Sequence, residues 1–430
     1  MIKEIRLLNW KSYKDANLYI DPLNVLIGTN ASGKSNAIDA IAFINNEVHA
    51  SSLQASLDGE SALLLDANIG GIRGGAGYAA LLPGDQFTVE TVIEEDSITD
   101  YRYSITVRTK PQVEVIAESL IKIIRNKKKP NKEPREKNIF YTNRSNDDYS
   151  SPSIHTNIIN GQGKPIRKDL KNSVSVISQL KNSEIKVPEV SEAIQVVIKN
   201  LEEIFILDPI PSQMRDYKPF AQYLSKNAAN LAGMIAALPT EKKEKLESQL
   251  TKYVSSLPED EIERVWAEPV GRFQKDAMLY CEEKWGRTGI NTTIDARGMS
   301  DGTLRFLGIL TALLTRPSGS LIVIEEVDNG LHPSRAKLLL ETMKEIGSER
   351  SIDILVTTHN PALMDELGIE MIPFIQIVHR DPEDGTSKIT LLENIKSLPK
   401  LLAHGSVGEL STKGEIEKSL SHIGGVIDEK

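Results

Sequence analysis

Residues 23–36 read LNVLIGTNASGKSN, and this stretch decides the fold. Its first part, Leu23 to Gly28, is a continuous, mostly apolar run that predicts a strand buried on both faces. A glycine-bearing loop follows, and the segment from Asn36 to Ile44 has the apolar spacing of a helix. Strand, loop and helix in this order are typical of an open α/β nucleotide-binding fold.

The loop itself, Gly28 to Ser35, matches the phosphate-binding pattern GxxxxGK(S/T). Gly28 and Gly33 permit tight curvature, so that successive N–H groups can converge on phosphate oxygens. Lys34 supplies a positive charge for the β- and γ-phosphates, and the Ser35 hydroxyl suits Mg²⁺. A chance match is the weaker interpretation, because a strand precedes the loop and a helix follows it. The sequence therefore predicts a site for a nucleoside triphosphate with Mg²⁺.

A second buried strand, SLIVIEE at 320–326, ends in two adjacent carboxylates. Carboxylates are costly at the end of a buried strand unless they face a metal ion or water. Because Mg²⁺ takes oxygen ligands and keeps several waters, Glu325 can hold the ion directly or through water. Glu326 points elsewhere and can orient or deprotonate an attacking water. The alternative is a solvated strand end before a turn.

Two more features lie near this strand in the sequence. The segment SDGT at 300–303 opens a strongly apolar helix, and a Ser-x-Gly helix start is both an N-cap and an anion site. His359 ends a further strand, 33 residues after Glu326, where it can sense a γ-phosphate. A plain helix cap and a structural histidine are the alternatives, and the sequence leaves both open.

The composition is that of an ordinary globular protein of two or three domains. Its 430 residues are 40% hydrophobic, and 51 Lys and Arg against 60 Asp and Glu give a net charge of −9. The single cysteine, Cys281, excludes an internal disulfide, and no Cys/His cluster has zinc spacing. No apolar run reaches the roughly 18 residues that a membrane span needs. We therefore expect a cytoplasmic protein in a reducing compartment.

Patterns along the chain divide it into four predicted segments. These are an ATPase N-lobe with the phosphate loop and a β subdomain at 1–110, an insertion at 111–290, an ATPase C-lobe at 291–400 and a tail at 401–430. Within the insertion, 121–160 is basic and interrupted by proline, which predicts a poorly packed, flexible surface segment. From 168 to 284 the spacing of apolar residues is mostly helical.

The basic part of the insertion, 122–135, is a candidate for contact with DNA. Its cations are Lys122, Arg125, Lys127, Lys128, Lys129, Lys132 and Arg135. A flexible basic run can neutralise phosphates and then binds in a salt-dependent way. The alternative is a solvated loop, because interleaved aromatic residues are missing and Glu133 and Glu136 dilute the charge.

Taken together, the order and spacing of these features resemble the ABC-type ATPase family in its RecF/SMC-like branch. In that family a Walker A loop, a signature helix, a Walker B strand and a switch histidine follow one another. Here these are Gly28–Ser35, Ser300–Thr303, Leu321–Glu326 and His359. The opening IKEIRLLNWKSYKD, with Trp10 where the branch usually has an aromatic residue, also looks like this branch. The resemblance covers roughly the first 45 and the last 140 residues.

The resemblance implies an α/β fold, a P-loop NTPase of ABC/RecF-like type with an antiparallel β subdomain and an inserted, mostly helical region. It implies ATP and Mg²⁺ as cofactors, with Ser35 and Glu325 on the metal. Lys34, Glu326 and His359 take the catalytic roles. The implied nucleotide contacts are Gly28, Asn30, Ser32, Gly33, Lys34, Ser35, Asn36, Ser300 and Gly302.

Three positions depart from the family pattern. The Walker B metal position is Glu325 rather than the commoner aspartate, and the signature is SDGT rather than SGGQ. The glutamine loop is not identifiable, and Arg73 and Gln86 are its candidates in about the right region. Asp328 lies where the D-loop of the family begins.

The resemblance also implies partners. In such ATPases the signature helix of one protomer closes on the phosphate loop of the other, so we expect an ATP-clamped homodimer or a higher oligomer. The stretches LSKNAANLAGMI and MSDGTLRFLGILTALL further resemble compact bacterial ATPases, many of them encoded in anti-phage operons such as Septu, PARIS and Menshen. The leading expectation is thus a sensor or regulator of a separate effector, a nuclease or toxin, since no nuclease domain is visible.

The alternative is a RecF/SMC-like DNA-repair or DNA-maintenance ATPase that DNA stimulates. A third interpretation is the engine of a membrane transporter. The long insertion and the lack of a membrane segment count against it.

Overall fold

The computed structural model describes residues 1–60, 69–126, 133–143, 151–183, 187–257, 262–285 and 290–421. Contacts within the chain separate two compact units. The first contains residues 1–204 and 375–395 with the stretch from 417 onward, and the second contains 205–374 and 396–416. The four segments expected from the sequence stay a prediction.

The first unit contains most of the strands. They are β1 (Ile2–Trp10), β2 (Tyr13–Tyr19), β3 (Leu23–Ile27), β4 (Gly59–Glu60), β5 (Ile69–Gly70), β6 (Gln86–Glu94), β7 (Thr99–Arg108), β8 (Glu114–Ile124), β9 (Arg135–Asn143), β10 (Ser153–Ile159) and β11 (Pro165–Lys171), with β19 (Ile375–Arg380) and β20 (Ser387–Leu391) from the far end of the chain. Its helices are α1 (Lys34–Glu47), α2 (Leu53–Asp58), α3 (Val176–Lys181) and α4 (Pro188–Glu202).

All of these strands except β4 and β5, which pair with each other, belong to a large sheet in the order β11-β10-β9-β8-β7-β6-β1-β2-β20-β19-β3. Neighbours from β11 to β2 are antiparallel, whereas β2 pairs with β20 and β19 pairs with β3 in parallel. All five residues of β3 are buried, which confirms the strand predicted before the phosphate loop. The helix predicted after that loop is confirmed as α1.

An aromatic cluster packs the first strand against α1 and β6. The Trp10 ring centroid lies 5.8 Å from that of Phe43 and 4.8 Å from that of Phe87, and all three side chains are fully buried. The Trp10 indole N–H also donates to the carbonyl of Asn36 at 2.7 Å. Because indole N–H groups need a partner when buried, this bond fixes the start of α1 against the sheet.

The structure corrects two predictions for the insertion. The prediction of a poorly packed segment at 121–160 is wrong for its described parts in β8, β9 and β10, which pair in register as strands. Their apolar residues, including Phe140, Ile154 and Ile158, are buried. The helical prediction for 168–284 holds for α3 and α4 and for the helices at Leu231–Ala236 and Thr240–Val254, but it is wrong at 262–284. There, alternate residues such as Val265 and Cys281 are buried on one face of a hairpin.

The second unit contains the remaining elements. Its strands are β12 (Ile204–Leu207, which begins at the last residue of the first unit), β13 (Lys218–Pro219), β14 (Ile262–Val270), β15 (Asp276–Trp285), β16 (Ile290–Asp295), β17 (Leu321–Ile324) and β18 (Asp353–Thr357). Its helices are α5 (Pro211–Met214), α6 (Leu231–Ala236), α7 (Thr240–Val254), α8 (Asp301–Thr315), α9 (Pro333–Arg350), α10 (Pro361–Glu366), α11 (Leu398–Leu402) and α12 (Val407–Thr412), and α13 (Glu415–Ser421) spans the unit boundary.

Two sheets and one central helix organise this unit. β17 pairs with β18 in parallel and neighbours β12, while β13, β14 and β16 pair with β15 in a separate sheet. Every residue of α8 from Gly302 to Leu314 is buried. A helix that is apolar all round must lie inside a domain, which explains the unusually apolar sequence after SDGT. Within the described ranges, no helix is both long and apolar enough to cross a lipid bilayer.

Candidate functional site

The phosphate loop follows β3 in the first unit and has an unusual backbone. Gly28, Ala31 and Gly33 have φ values of +150°, +63° and +126°. A Cβ atom on Gly28 would collide with the carbonyl oxygen of Val378, and one on Gly33 would lie 2.5 Å from the Ser387 hydroxyl. Both the dihedral angles and the space therefore require glycine at these two positions.

Three consecutive loop carbonyls, at 31–33, are held by side chains from outside the loop. Arg380 donates to the first at 3.0 and 3.1 Å, Ser387 donates to the second, and the Tyr13 hydroxyl donates to the third at 2.9 Å. Because the C=O and N–H of a trans peptide point in opposite directions, the amides that follow these carbonyls point the other way. The N–H of Ser32 donates to the carbonyl of Thr29 at 3.2 Å. The N–H groups of Gly33 and Lys34 are thus turned away from the held carbonyls, as an anion site requires.

The start of α1 suits an anion as well. Gly33 is its N-cap, with no side-chain cap and no acidic residue in the first turn. Uncapped N–H groups and the helix dipole attract negative charge. The Lys34 ammonium donates to the carbonyls of Gly28 and Thr29. The exposed Ser35 hydroxyl follows, and an alcohol oxygen in this place fits Mg²⁺.

The other predicted loop residues differ in their surroundings. Asn30 is exposed, whereas Ser32 is 2% exposed and its hydroxyl oxygen has no hydrogen-bond partner. Asn36 donates to the Ser12 hydroxyl at 2.8 Å. Beside it lies a cavity of about 550 Å³, lined by Lys11, Ser12, Asn36, Arg73, Tyr78, Leu82 and Arg380 among others.

The structure separates the two candidates for the glutamine loop. Arg73 donates to the carbonyl of Ser35 at 3.1 Å and lies 3.4 Å from the carboxylate of Asp39, so it contacts the first turns of α1. Lys11 pairs with the same carboxylate and donates to the carbonyl of Arg73. Burial lowers the pKa of the Lys11 ammonium, and the hydrogen bond and negative charge of Asp39 oppose this shift. Gln86 is the first residue of β6 and pairs with Arg108 of the neighbouring strand β7.

The acidic strand end lies in the second unit, at the end of β17. Glu325 is half-buried and Glu326 is exposed. The backbone of Glu326 has φ +46°, and its N–H donates to the Thr357 hydroxyl at 2.9 Å. A positive φ is uncommon outside glycine, so the backbone at Glu326 leaves the extended course of β17.

His359 lies where the sequence placed it, at the end of β18 and next to the acidic residues. Its Nδ1 is 3.8 Å from a carboxylate oxygen of Glu326, and both side chains are about half exposed. Parallel pairing of β17 with β18 brings the two strand ends together. The histidine thus shares a solvent-accessible edge with the predicted base.

The start of α8 is an N-cap, as one of the two interpretations of SDGT predicts. The Ser300 hydroxyl accepts from the N–H of Thr303 at 3.1 Å. A cation that the sequence analysis missed, Arg335, lies 3.4 Å from the same hydroxyl. A Cβ on Gly302 would lie 3.1 Å from the Arg335 guanidinium and from the carbonyl of Gly330, so the helix start is closely packed.

Two arginines of the second unit, also missed, hold the backbone of these features. Arg215 donates to the carbonyls of Ala296, Arg297 and Met299 and pairs with Asp301. Arg305 is 5% exposed and donates to the carbonyls at the end of β17. No local sequence pattern identifies such residues, because their partners are distant backbone atoms.

The basic segment is only partly described. Lys127, Lys128, Lys129 and Lys132 lie outside the described residues. Of the others, Lys122 lies over the ring of Tyr101 at 5.6 Å, and Arg125 pairs with Asp100. Contact with DNA stays a prediction.

Comparison with known proteins adds two domain matches. Residues 1–102, which contain the phosphate loop, match the "AAA ATPase domain" family. Residues 237–365, which contain the strand end and the histidine, match the family described as "AAA domain, putative AbiEii toxin, Type IV TA system". The fold is that of a P-loop ATPase. The phosphate loop and the acidic strand end therefore each lie in a segment similar to an AAA ATPase domain.

Individual relatives are distant or partial. The chain is 21% identical over 383 residues to the "ATP/GTP phosphatase" of Helicobacter pylori, which covers 85% of this chain and 87% of that protein. It is 47% identical over 55 residues to the chromosome partition protein Smc of Methanococcus voltae, which is 13% of this chain and 5% of that protein.

Solved structures with a similar course of the chain are SMC heads. One is an SmcHead bound to the C-winged helix domain of ScpA, with a TM-score of 0.48, 13% identity, and coverage of 90% of this chain and 97% of that chain. Another is an Smc head bound to the C-terminal domain of ScpA derived from Pyrococcus furiosus, with a TM-score of 0.46, 13% identity, and coverage of 94% and 99%.

Proposed function

We propose that the chain binds and hydrolyses ATP with Mg²⁺, as an ATP-clamped homodimer that regulates a separate effector protein, a nuclease or toxin, in bacterial anti-phage defence. The observation that carries the ATPase part is the phosphate loop. Side chains at 13, 380 and 387 hold three of its carbonyls outward, and the helix that follows begins uncapped. Such a loop is suited to bind phosphate groups.

Each predicted residue then has a role. Lys34 and the loop N–H groups bind the β- and γ-phosphates, and the cavity beside Asn36 gives room for the nucleoside. Ser35 and Glu325 would hold Mg²⁺, which when bound neutralises phosphate charge. Glu326 orients or deprotonates the attacking water. His359, whose Nδ1 lies 3.8 Å from a carboxylate oxygen of Glu326, contacts the γ-phosphate.

The proposed dimer rests on the start of α8, which we propose as a second anion site. Ser300, Gly302 and the N-terminus of α8 carry the positive end of a 15-residue helix, and Arg335 adds a cation beside them. In the ABC family, which the motifs resemble, this surface binds the nucleotide held by a second protomer. A second copy of the chain is therefore the proposed first partner.

Turnover of two variants tests the ATPase. Lys34→Ala removes the positive charge that would bind the phosphates, and we expect ATP binding and hydrolysis to fall by about 100-fold or more. Glu326→Gln is expected to bind ATP and trap it unhydrolysed. Lys14→Ala, a change on an exposed lysine, is the matched control and should behave like the unchanged protein. Hydrolysis by Glu326→Gln at the unchanged rate would mean that Glu326 is not the base.

Purification from native cells tests the regulatory part. A separate nuclease or toxin that stays bound, together with slow basal turnover, supports the proposal. Strong stimulation by DNA, with no protein partner, would instead support a DNA-repair or DNA-maintenance ATPase and overturn the defence role.

A further inference from the structure

Arg305 lies on the second turn of α8 and reaches the backbone of the acidic strand end. Its Nη2 donates to the carbonyl of Glu325 at 2.9 Å and to that of Glu326 at 3.0 Å, and its Nη1 donates to the carbonyl of Pro209 at 3.0 Å. The carboxylate of Asp208 lies 3.5 Å from Nη2. The side chain is 5% exposed, so these bonds compete little with water.

The two carbonyls flank the Cα atom of Glu326. They belong to the peptides on either side of a residue at φ +46°, a conformation that costs about 1 kcal/mol outside glycine. On the other side of the turn, the N–H of Glu326 donates to the Thr357 hydroxyl and the N–H of Val327 donates to the Thr357 carbonyl at 3.0 Å. Bonds to Thr357 and to Arg305 together fix both peptide planes, and hence the direction in which the Cα–Cβ bond of Glu326 leaves the backbone.

The same guanidinium offsets negative charge at this point. Burial lowers the pKa of Arg305, and the negative charges of Asp208, Glu326 and Asp328 oppose this shift. Asp328 is 7% exposed, and one of its carboxyl oxygens has no hydrogen-bond partner. The cation offsets the repulsion that Asp328, the buried member of the three, would otherwise feel from the exposed carboxylates of Asp208 and Glu326.

We propose that Arg305 is a positioning residue for hydrolysis: it holds the backbone turn that presents Glu326, and it ties that carboxylate to the helix that begins at Ser300. The inference rests on the proposed ATPase activity. The helix start would bind a nucleotide, and the same rigid helix would hold the base, so that a shift of α8 also shifts Glu326. Any other role for Arg305 is structural packing of α8 against β17.

Steady-state kinetics distinguish positioning from packing. Arg305→Met should lower kcat by about 10–100-fold, while KM and the Kd for ATP change by less than about threefold, because the phosphate loop holds the nucleotide. Arg305→Lys keeps the positive charge and at least one donor, so its kcat should lie between that of the unchanged protein and that of Arg305→Met. Arg350→Met is the matched control: Arg350 donates to the carbonyl of Arg316 in the same unit but does not contact the strand end.

Hydrogen exchange of the 321–331 peptide gives a readout that does not need turnover. In Arg305→Met the amides of Glu326 and Val327 should exchange faster than in the unchanged protein, and in Arg350→Met they should not. Equal exchange in both variants would overturn the inference, as would a rise of KM in step with a general loss of stability.

The kinetic outcomes separate the two proposals. If Glu326→Gln is inactive while Arg305→Met keeps kcat within about twofold, the positioning role is wrong and the ATPase proposal stands. If the unchanged protein does not hydrolyse ATP, the ATPase proposal fails, and the exchange experiment alone decides whether Arg305 positions the turn.

Discussion

Glu47, at the end of α1, belongs to a buried acidic group in the first unit. It is 2% exposed, and burial and the neighbouring Glu118 raise its pKa well above the ordinary value. Burial also raises the pKa of Glu118 to about 7, although the N–H groups of Val176 and Ile177 and the Tyr103 hydroxyl donate to it. Both carboxyl groups hold protons more tightly in the folded chain than in the unfolded chain.

This group makes stability depend on pH in a defined direction. Because the folded state binds more protons, the free energy of unfolding falls as pH rises from about 4.5 through 7. Glu47→Gln removes one buried charge, so it should raise Tm at pH 8 by about 2–4 °C and change it little at pH 5. Thermal unfolding at the two pH values measures this. Glu133→Gln, on the surface, is the control, and an equal effect of Glu47→Gln at both pH values would contradict the account.

Single residues also mark the limit of what the sequence could predict. Gly28, Gly33 and Lys34 were predictable because the phosphate loop is a local pattern whose backbone demands are known. Arg380 donates to the loop carbonyl of Ala31, which is 349 residues away in the sequence. This contact could not be predicted, because no sequence pattern around Arg380 indicates that it lies next to the loop. Arg305 escaped notice for the same reason: its partners are carbonyl groups, which every residue has.

Whole elements were predictable where their pattern was unambiguous. β3 and β17 are short, wholly buried and bounded by a loop or by charges, and α8 is apolar along its length. The hairpin of β14 and β15 was missed because a register shift between Ile262 and Arg264 and the apolar Trp266 on the outer face disturb the alternation. In 121–160, a sequence rich in lysine and interrupted by proline concealed strands whose inward residues are apolar.

The start of α8 permits a test at the scale of the element. Ser300→Asp keeps a good N-cap and places a carboxylate near Arg335, so stability should stay within about 0.5 kcal/mol of the unchanged protein. Turnover should fall by about tenfold or more, because the carboxylate repels phosphate. Urea unfolding and ATPase rates measure the two effects.

Ser300→Ala is the comparison for this helix start. It should cost about 1 kcal/mol of stability by loss of the cap, yet lower turnover less than Ser300→Asp does. If turnover follows stability across the two variants, Ser300 is a cap and nothing more.

For the molecule as a whole, the proposed dimer makes a prediction about mixtures. In a symmetric dimer each site would take its phosphate loop from one protomer and Ser300 from the other. Mixing Lys34→Ala with Ser300→Asp, each strongly impaired alone, should therefore give about a quarter of the activity of the unchanged protein, since half the dimers are mixed and each mixed dimer has one intact site of two.

The control mixture combines Lys34→Ala with Glu326→Gln. These two residues would act on the same nucleotide within one protomer, so this mixture should stay inactive. Recovery in both mixtures, or in neither, would contradict the proposed arrangement of the sites.

The central claim is that the phosphate loop and the acidic strand end of one chain serve the same Mg²⁺-bound ATP. Anomalous scattering from a crystal of the Glu326→Gln protein with ATP and Mn²⁺ tests it most directly. We predict one manganese ion about 2.2 Å from the Ser35 hydroxyl, with Glu325 of the same chain reaching the ion directly or through one water. ATP seated in the phosphate loop with Glu325 more than about 10 Å from the ion would contradict the claim.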